Sequence, residues 1–170
     1  MTHFKTMIAI AFGASLLAAS VAAEDRPNRT RTSGANGTVT AIQGEKGSGA
    51  RARGAKRNSD GSVTAASGGA FQTANGARGA RASTTTVNPD GSGTRVSEAA
   101  ASGPAGSAST SSDVTRNADG TFSGGRTSTA TSTSTGNTYN GSTQIDPATG
   151  QPVRTATCTD SAGTVIACPL

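Results

Sequence analysis

The chain has 170 residues, of which 32% are hydrophobic and only 3% aromatic, and its formal net charge is +5. So few large apolar side chains cannot build the buried core of an ordinary globular domain. The single histidine, His3, lies near the amino terminus, so a catalytic triad, a cysteine–histidine pair or a histidine-rich metal site is not expected. We expect a protein that is not an enzyme and that has no cofactor and no metal site.

Residues 1–23 have the pattern of a secretory signal peptide. A short polar start precedes an apolar run from Met7 to Ala19, and Val21-Ala22-Ala23 offers small residues for cleavage. The apolar run is shorter than the roughly 20 residues that a membrane-spanning helix needs. We therefore expect cleavage after Ala23, no transmembrane segment in the remaining chain, and export to the periplasm, the cell surface or the medium.

The remaining chain divides by composition. Residues 24–35 are polar and basic, which is typical of a flexible basic arm, and residues 36–170 form one domain of repeated segments. Its richness in Ser, Thr, Ala and Gly leaves an alternative open, because chains of this composition are often largely disordered.

An Asn-x-Asp-Gly motif recurs three times in this domain. Asparagine accepts a backbone hydrogen bond, proline fixes φ at the next position, and glycine supplies the positive φ that closes a three-residue hairpin loop with a bulge. The three asparagines stand 30 and 29 positions apart, which indicates a repeat. The predicted turn residues are Asn58, Asp60 and Gly61; Asn88, Pro89, Asp90 and Gly91; and Asn117, Asp119 and Gly120.

Further turn signals lie halfway between these motifs. Asn75-Gly76 favours a two-residue type I′ turn, and the Gly44–Gly47 and Gly103–Gly106 segments also indicate reversals. The chain therefore reverses about every 15 residues. The segments between reversals are strand-like, since Thr127–Thr135 has a β-branched threonine at every second position.

These features predict an all-β fold, an antiparallel β-meander of about nine or ten strands built from ~30-residue hairpin repeats. The loops also predict the register. Pairing of Asn88 with Ser92 places Thr84 opposite Val96, and the equivalent loops place Arg57 opposite Val63 and Arg116 opposite Phe122.

The two cysteines, Cys158 and Cys168, lie close together near the carboxyl terminus. In an exported chain such a pair predicts one disulfide, here closing a carboxyl-terminal hairpin. A metal or redox pair is the alternative, but the spacing is not CxxC and no histidine lies nearby.

Basic residues concentrate in the first part of the predicted mature chain. Residues 24–81 hold ten Lys or Arg and four acids, whereas residues 82–170 hold four and six. Strand alternation places Arg51, Arg53 and Arg57 on one face. The candidate polyanion-binding residues are Arg51, Arg53, Arg57, Arg78 and Arg81. The alternative is that these charges serve solubility and protect a sheet edge.

Two functions follow as expectations. The first is a structural or adhesive role for an exported repeat protein in the bacterial cell envelope or extracellular matrix, with self-association. The second is a basic module that binds an envelope or extracellular polyanion, such as lipopolysaccharide or nucleic acid. The sequence indicates no small-molecule substrate.

Overall fold

The computed structural model describes residues 28–168, so the signal peptide predicted for residues 1–23 lies outside the described residues. This part of the chain folds as a single antiparallel sheet whose spatial order is the sequence order from β1 to β11. The strands are β1 (Asn28–Gly34), β2 (Gly37–Gly44), β3 (Gly47–Arg57), β4 (Val63–Thr73), β5 (Arg78–Val87), β6 (Gly93–Gly103), β7 (Gly106–Arg116), β8 (Phe122–Ser132), β9 (Thr138–Ile145), β10 (Pro152–Thr159) and β11 (Val165–Ile166).

The prediction of an antiparallel β-meander is confirmed, and the disordered alternative does not describe residues 28–168. The predicted register is also observed. Thr84 pairs with Val96, Arg57 with Val63 and Arg116 with Phe122. Register follows from loop length because a hairpin loop fixes which residues face each other.

The structure differs from the sequence prediction at residues 28–34, which belong to the segment 24–35 that was expected to form a flexible arm; residues 24–27 lie outside the described residues. Residues Asn28–Gly34 form β1 and pair with β2 over their whole length. A two-residue turn at Ala35-Asn36 joins the two strands. This additional reversal lies ahead of Gly44, where the first predicted reversal begins, and it brings the strand number to eleven.

The Asn-x-Asp-Gly segments form three-residue hairpin loops. The Asn58 N–H donates to the Ser62 carbonyl at 2.8 Å, and the Gly61 N–H donates to the Asn58 carbonyl at 3.1 Å. Gly61 has φ of 83°, a left-handed conformation that glycine adopts without a Cβ clash. The loops that begin at Asn88 and Asn117 repeat these contacts.

The type I′ turn predicted at Asn75-Gly76 is wrong. A type I′ turn needs positive φ at both central residues, but no non-glycine residue in the described chain has positive φ. Thr73 N–H instead donates to the Ala77 carbonyl at 2.8 Å. The loop therefore has three residues, like the Asn-x-Asp-Gly loops, because Gly76 alone takes the left-handed conformation.

Each Asn-x-Asp-Gly loop depends on a hydroxyl residue that directly follows its glycine. The Asp60 carboxylate accepts hydrogen bonds from the Ser62 Oγ at 2.7 Å and from the Ser62 N–H at 2.9 Å. The Asn58 side chain donates to the same Oγ at 2.9 Å. Ser92 and Thr121 make the same contacts in the other two loops, so the structural motif is Asn-x-Asp-Gly-Ser/Thr.

These hydrogen bonds make the loops sensitive to acid. The hydroxyl and then the backbone N–H of the Ser or Thr hold the pKa of Asp60, Asp90 and Asp119 below the ordinary value. A lowered pKa in the folded state stabilises the loop above the unfolded pKa of about 3.9, and this contribution is lost as pH falls through the folded pKa.

We expect Ser92→Ala to raise the pKa of Asp90 toward its ordinary value, because the variant removes the hydroxyl donor and retains the backbone donor. Carboxyl ¹³C chemical shifts recorded between pH 2 and 6 measure the change. The pKa of Asp60 should not move, and neither should that of Asp90 in the control Ser97→Ala. An unchanged pKa of Asp90 in Ser92→Ala would contradict the assigned role of the hydroxyl.

The sheet is a single layer without an ordinary core. In residues 28–168 only Thr40, Ser62 and Cys158 are buried, and large apolar residues such as Val39 and Val153 are about half exposed. Strands contact only their sequence neighbours. Backbone ladders and contacts between small side chains therefore carry most of the stability, as in repeat proteins.

The predicted disulfide joins Cys158 of β10 to Cys168, with their Cα atoms 5.2 Å apart. Cys158 pairs with Ile166 across β10 and β11. Cys158 is the only buried hydrophobic residue of residues 28–168, at 3% exposure. The disulfide thus fastens a strand that otherwise has only two paired residues.

Candidate functional site

Strand alternation sorts the charged side chains onto two faces of the sheet. Residues directly opposite each other in an antiparallel pair lie on the same face, so the continuous register from β1 to β10 assigns every strand residue to one face. Ten arginines share one face, which we call the arginine face: Arg29, Arg31, Arg51, Arg53, Arg57, Arg81, Arg95, Arg116, Arg126 and Arg154.

The arginine face carries no carboxylate in residues 28–168. Within residues 28–168, the only carboxylates on strands are those of Glu98 and Asp113, and both lie on the opposite face. Lys56 and Arg78 lie on that opposite face too. The opposite face is therefore neutral, whereas the arginine face carries ten positive charges. The other acidic residues of this region occupy the loops at the two ends of the strands.

The structure brings together four of the five predicted polyanion-binding residues. Arg51, Arg53, Arg57 and Arg81 lie on the arginine face, and all four are exposed. Arg78 points to the opposite face, because it is three positions from Arg81 in the same strand and alternation separates them.

Sequence reasoning did not include six of the ten arginines: Arg29, Arg31, Arg95, Arg116, Arg126 and Arg154. Arg95, Arg116, Arg126 and Arg154 are far apart in sequence, so no local cluster indicates them, and Arg29 and Arg31 lie in the segment that was expected to be a flexible arm. The available signal was register, since loop lengths carried from hairpin to hairpin place each of them on the face of Arg51.

Three arginines form a row at every second strand. Arg31 pairs with Thr40, Thr40 with Arg51, and Arg51 with Gly69, which in turn pairs with Arg81. With neighbouring strands about 4.8 Å apart, the row repeats a positive charge about every 9.6 Å. The small intervening residues leave the guanidinium groups room to lie across the sheet.

Two guanidinium groups of the arginine face are oriented by hydrogen bonds that leave most of their donors free. Arg116 Nη1 donates to the Gly91 carbonyl at 2.8 Å, and Arg126 Nε donates to Thr110 Oγ1 at 2.9 Å. Each contact occupies one of the five N–H donors of a guanidinium. The remaining donors can contact phosphate, sulfate or carboxylate groups of a ligand.

A groove of about 610 Å³ lies at the centre of the sheet. All the aromatic and charged residues that line this groove belong to the arginine face. Phe71 of β4 and Tyr139 of β9 lie in the same cross-strand row. Five strand spacings, about 24 Å, separate them. Arg51, Arg81 and Arg126 also line the groove, together with alanine, serine and threonine residues of the strands between them.

Comparison with known protein families, curated proteins and solved structures finds no match.

The chemistry of the site rests on cations rather than on titratable clusters. Within residues 28–168 no three His, Cys, Asp or Glu side chains come together in a way that could hold a metal ion. The same part of the chain has no helix of the length and apolarity that a bilayer crossing requires. What the structure does offer is a broad, exposed array of fixed positive charge.

Proposed function

We propose that this protein is a non-enzymatic, exported module that binds a linear polyanion on the arginine face. The observation that carries this proposal is the segregation of ten exposed arginines onto a face without a carboxylate. Solubility alone does not require that positive charges share one face. The disulfide supports export, because such bonds persist in oxidising compartments.

The binding mechanism is charge neutralisation with release of counterions. Arginine donors replace the ions condensed on the polyanion, so affinity falls as salt concentration rises. A sheet is suited to this task because its strands hold the arginines at repeated spacings along and across the strands. Binding to such an array needs no deep pocket and no fixed sequence of ligand groups.

A pair of matched variants tests the proposal. Arg51→Ser/Arg53→Ser removes two charges from the arginine face, and Lys56→Ser/Arg78→Ser removes two from the opposite face. We expect the first variant to elute from heparin at lower salt than wild type and to show a log K against log salt slope shallower by about 1 to 2. The second variant should resemble wild type.

Two outcomes would contradict polyanion binding by this face. If the wild-type protein is not retained on heparin at about 50 mM salt, the proposed polyanion binding is contradicted. Equal losses in the two variants would show that total charge matters and that the arginine face does not.

The opposite face supports a second candidate, the structural role by self-association. This face is neutral and is lined by small residues such as Ala52, Gly68 and Ala82. Over β3–β8 it presents about 1,000 Å², which exceeds the roughly 800 Å² per partner of a standard interface. Two copies packed through it would leave both arginine faces outside. Salt-independent self-association in sedimentation equilibrium would favour this role.

A further inference from the structure

The aromatic residues of residues 28–168 are not scattered over the molecule. Phe71, Phe122 and Tyr139 all lie on the arginine face, with exposures of 48%, 49% and 40%. A sheet that presented arginines only for solubility would have no reason to add large exposed rings to the same face. Phe122 lies at the start of β8, outside the groove described above, whereas Phe71 and Tyr139 line that groove beside arginines. Exposed rings beside arginines are the combination found where proteins hold unpaired bases.

Two of these rings lie over glycines, so that one side of each ring packs against the backbone of the sheet. A Cβ atom at Gly79 would lie 2.6 Å from Cε1 of Phe71, and one at Gly141 would lie 2.6 Å from Cζ of Tyr139. Each ring therefore occupies the space that a side chain at the glycine would need. One side of the ring contacts the sheet, and the exposed remainder is available to a ligand.

The groove joins the two rings to the charges. Phe71 and Tyr139 both line it, and Arg51, Arg81 and Arg126 lie along it. Between the two residues this row contains Gly79, which the Phe71 ring covers, and then Ala101, Ala108 and Ala130. The small alanine side chains leave the groove open between the two rings, whose strands lie about 24 Å apart, a spacing that suits a short run of nucleotides.

We propose that this groove binds single-stranded nucleic acid, with bases stacked on Phe71 and Tyr139 and phosphates on Arg51, Arg81 and Arg126. This inference rests on the proposed polyanion-binding function and narrows its ligand. A sulfated glycan would engage the arginines but has no aromatic base for the rings. A duplex buries its bases in its own stack, so it would also leave the rings unused. Recognition is independent of base sequence, because every base has a stacking face.

The test compares ring variants on two probes. Phe71→Leu/Tyr139→Leu keeps apolar side chains at both sites and removes the stacking faces, and Phe122→Leu is the control because that ring lies outside the groove. The probes are a fluorescent (dT)₈ oligonucleotide and a heparin octasaccharide. We expect Phe71→Leu/Tyr139→Leu to weaken oligonucleotide binding by at least about tenfold. Heparin affinity should stay within about twofold, and Phe122→Leu should match wild type on both probes.

The outcomes separate this inference from the function on which it rests. Unchanged oligonucleotide affinity in the double variant would overturn the stacking role, while heparin binding by wild type would keep polyanion binding intact. Parallel losses on both probes would overturn the inference too, because they would show a structural role for the rings. Wild-type protein that binds neither probe would overturn the proposed function itself. Amide exchange of each variant verifies that the sheet is formed.

Discussion

Replacing Gly124 with alanine is expected to lower the free energy of unfolding by about 3 kcal/mol, a large loss for one methyl group. Gly124 lies within β8 and has φ of 104°, a conformation that other residues rarely adopt. A Cβ there would overlap the carbonyl oxygen of Asp113 in β7 and lie 3.0 Å from the carbonyl carbon. Backbone conformation and backbone sterics therefore both oppose the substitution.

The damage should be concentrated between β7 and β8. Each strand contacts only its sequence neighbours. If the hydrogen bonds between β7 and β8 are lost, the β7–β8 loop is therefore the only remaining link between β1–β7 and β8–β11. Amide exchange should show lost protection on both sides of Gly124. Urea unfolding gives the free-energy change.

Gly120→Asn is the control for this prediction. Gly120 lies in the loop between the same two strands, its φ is 86°, and nothing lies within 4 Å of a Cβ placed there. Asparagine tolerates the left-handed conformation, so we expect a loss below about 1 kcal/mol. Similar losses in the two variants would contradict the steric argument at Gly124.

Turn chemistry is the part of this fold that the sequence predicts well. Asn88-Pro89-Asp90-Gly91 specifies its own loop through local bonds, so its geometry needs no information from distant residues. Once a loop length is known, the register of its hairpin follows by counting. This is why the pairing of Thr84 with Val96 follows from residue numbers alone.

Predicting the arginine face from the sequence needs the same counting of register, and every loop length must be correct. A three-residue loop keeps odd-numbered residues on one face in both strands, and a two-residue turn exchanges odd for even. The type I′ turn predicted at Asn75-Gly76 would have put Arg81 on the face opposite Arg51. The actual three-residue loop puts them together, so one misjudged turn is enough to hide the site.

The groove is harder to predict from the sequence than either face, because it requires several hairpin registers at once. Phe71 and Tyr139 are separated by five strand spacings, and their alignment in one row is the sum of five hairpin registers. The position of Phe71 over Gly79 is likewise a contact between neighbouring strands. By composition these rings are too few to indicate a site, whereas the fold places them at the two ends of one groove.

Removal of the disulfide is expected to release β11 and the outer edge of β10 without unfolding the rest of the sheet. Closing the short loop between Cys158 and Cys168, which are 10 positions apart, contributes about 3 kcal/mol by the chain-entropy relation. Only two residue pairs otherwise hold β11 against β10. Two ladder pairs cannot replace that contribution, so β11 should detach.

The locality of this effect follows from the architecture. In a meander whose strands contact only their neighbours, stability is passed from one hairpin to the next and no shared core links the ends. Amide exchange in Cys158→Ala/Cys168→Ala should therefore rise in residues 152–168 and remain unchanged in residues 47–132. Reduced wild-type protein is the control, since it keeps the cysteine side chains. Equal acceleration throughout the sheet would show that the strands unfold as one cooperative unit and would overturn the neighbour-only account of its stability.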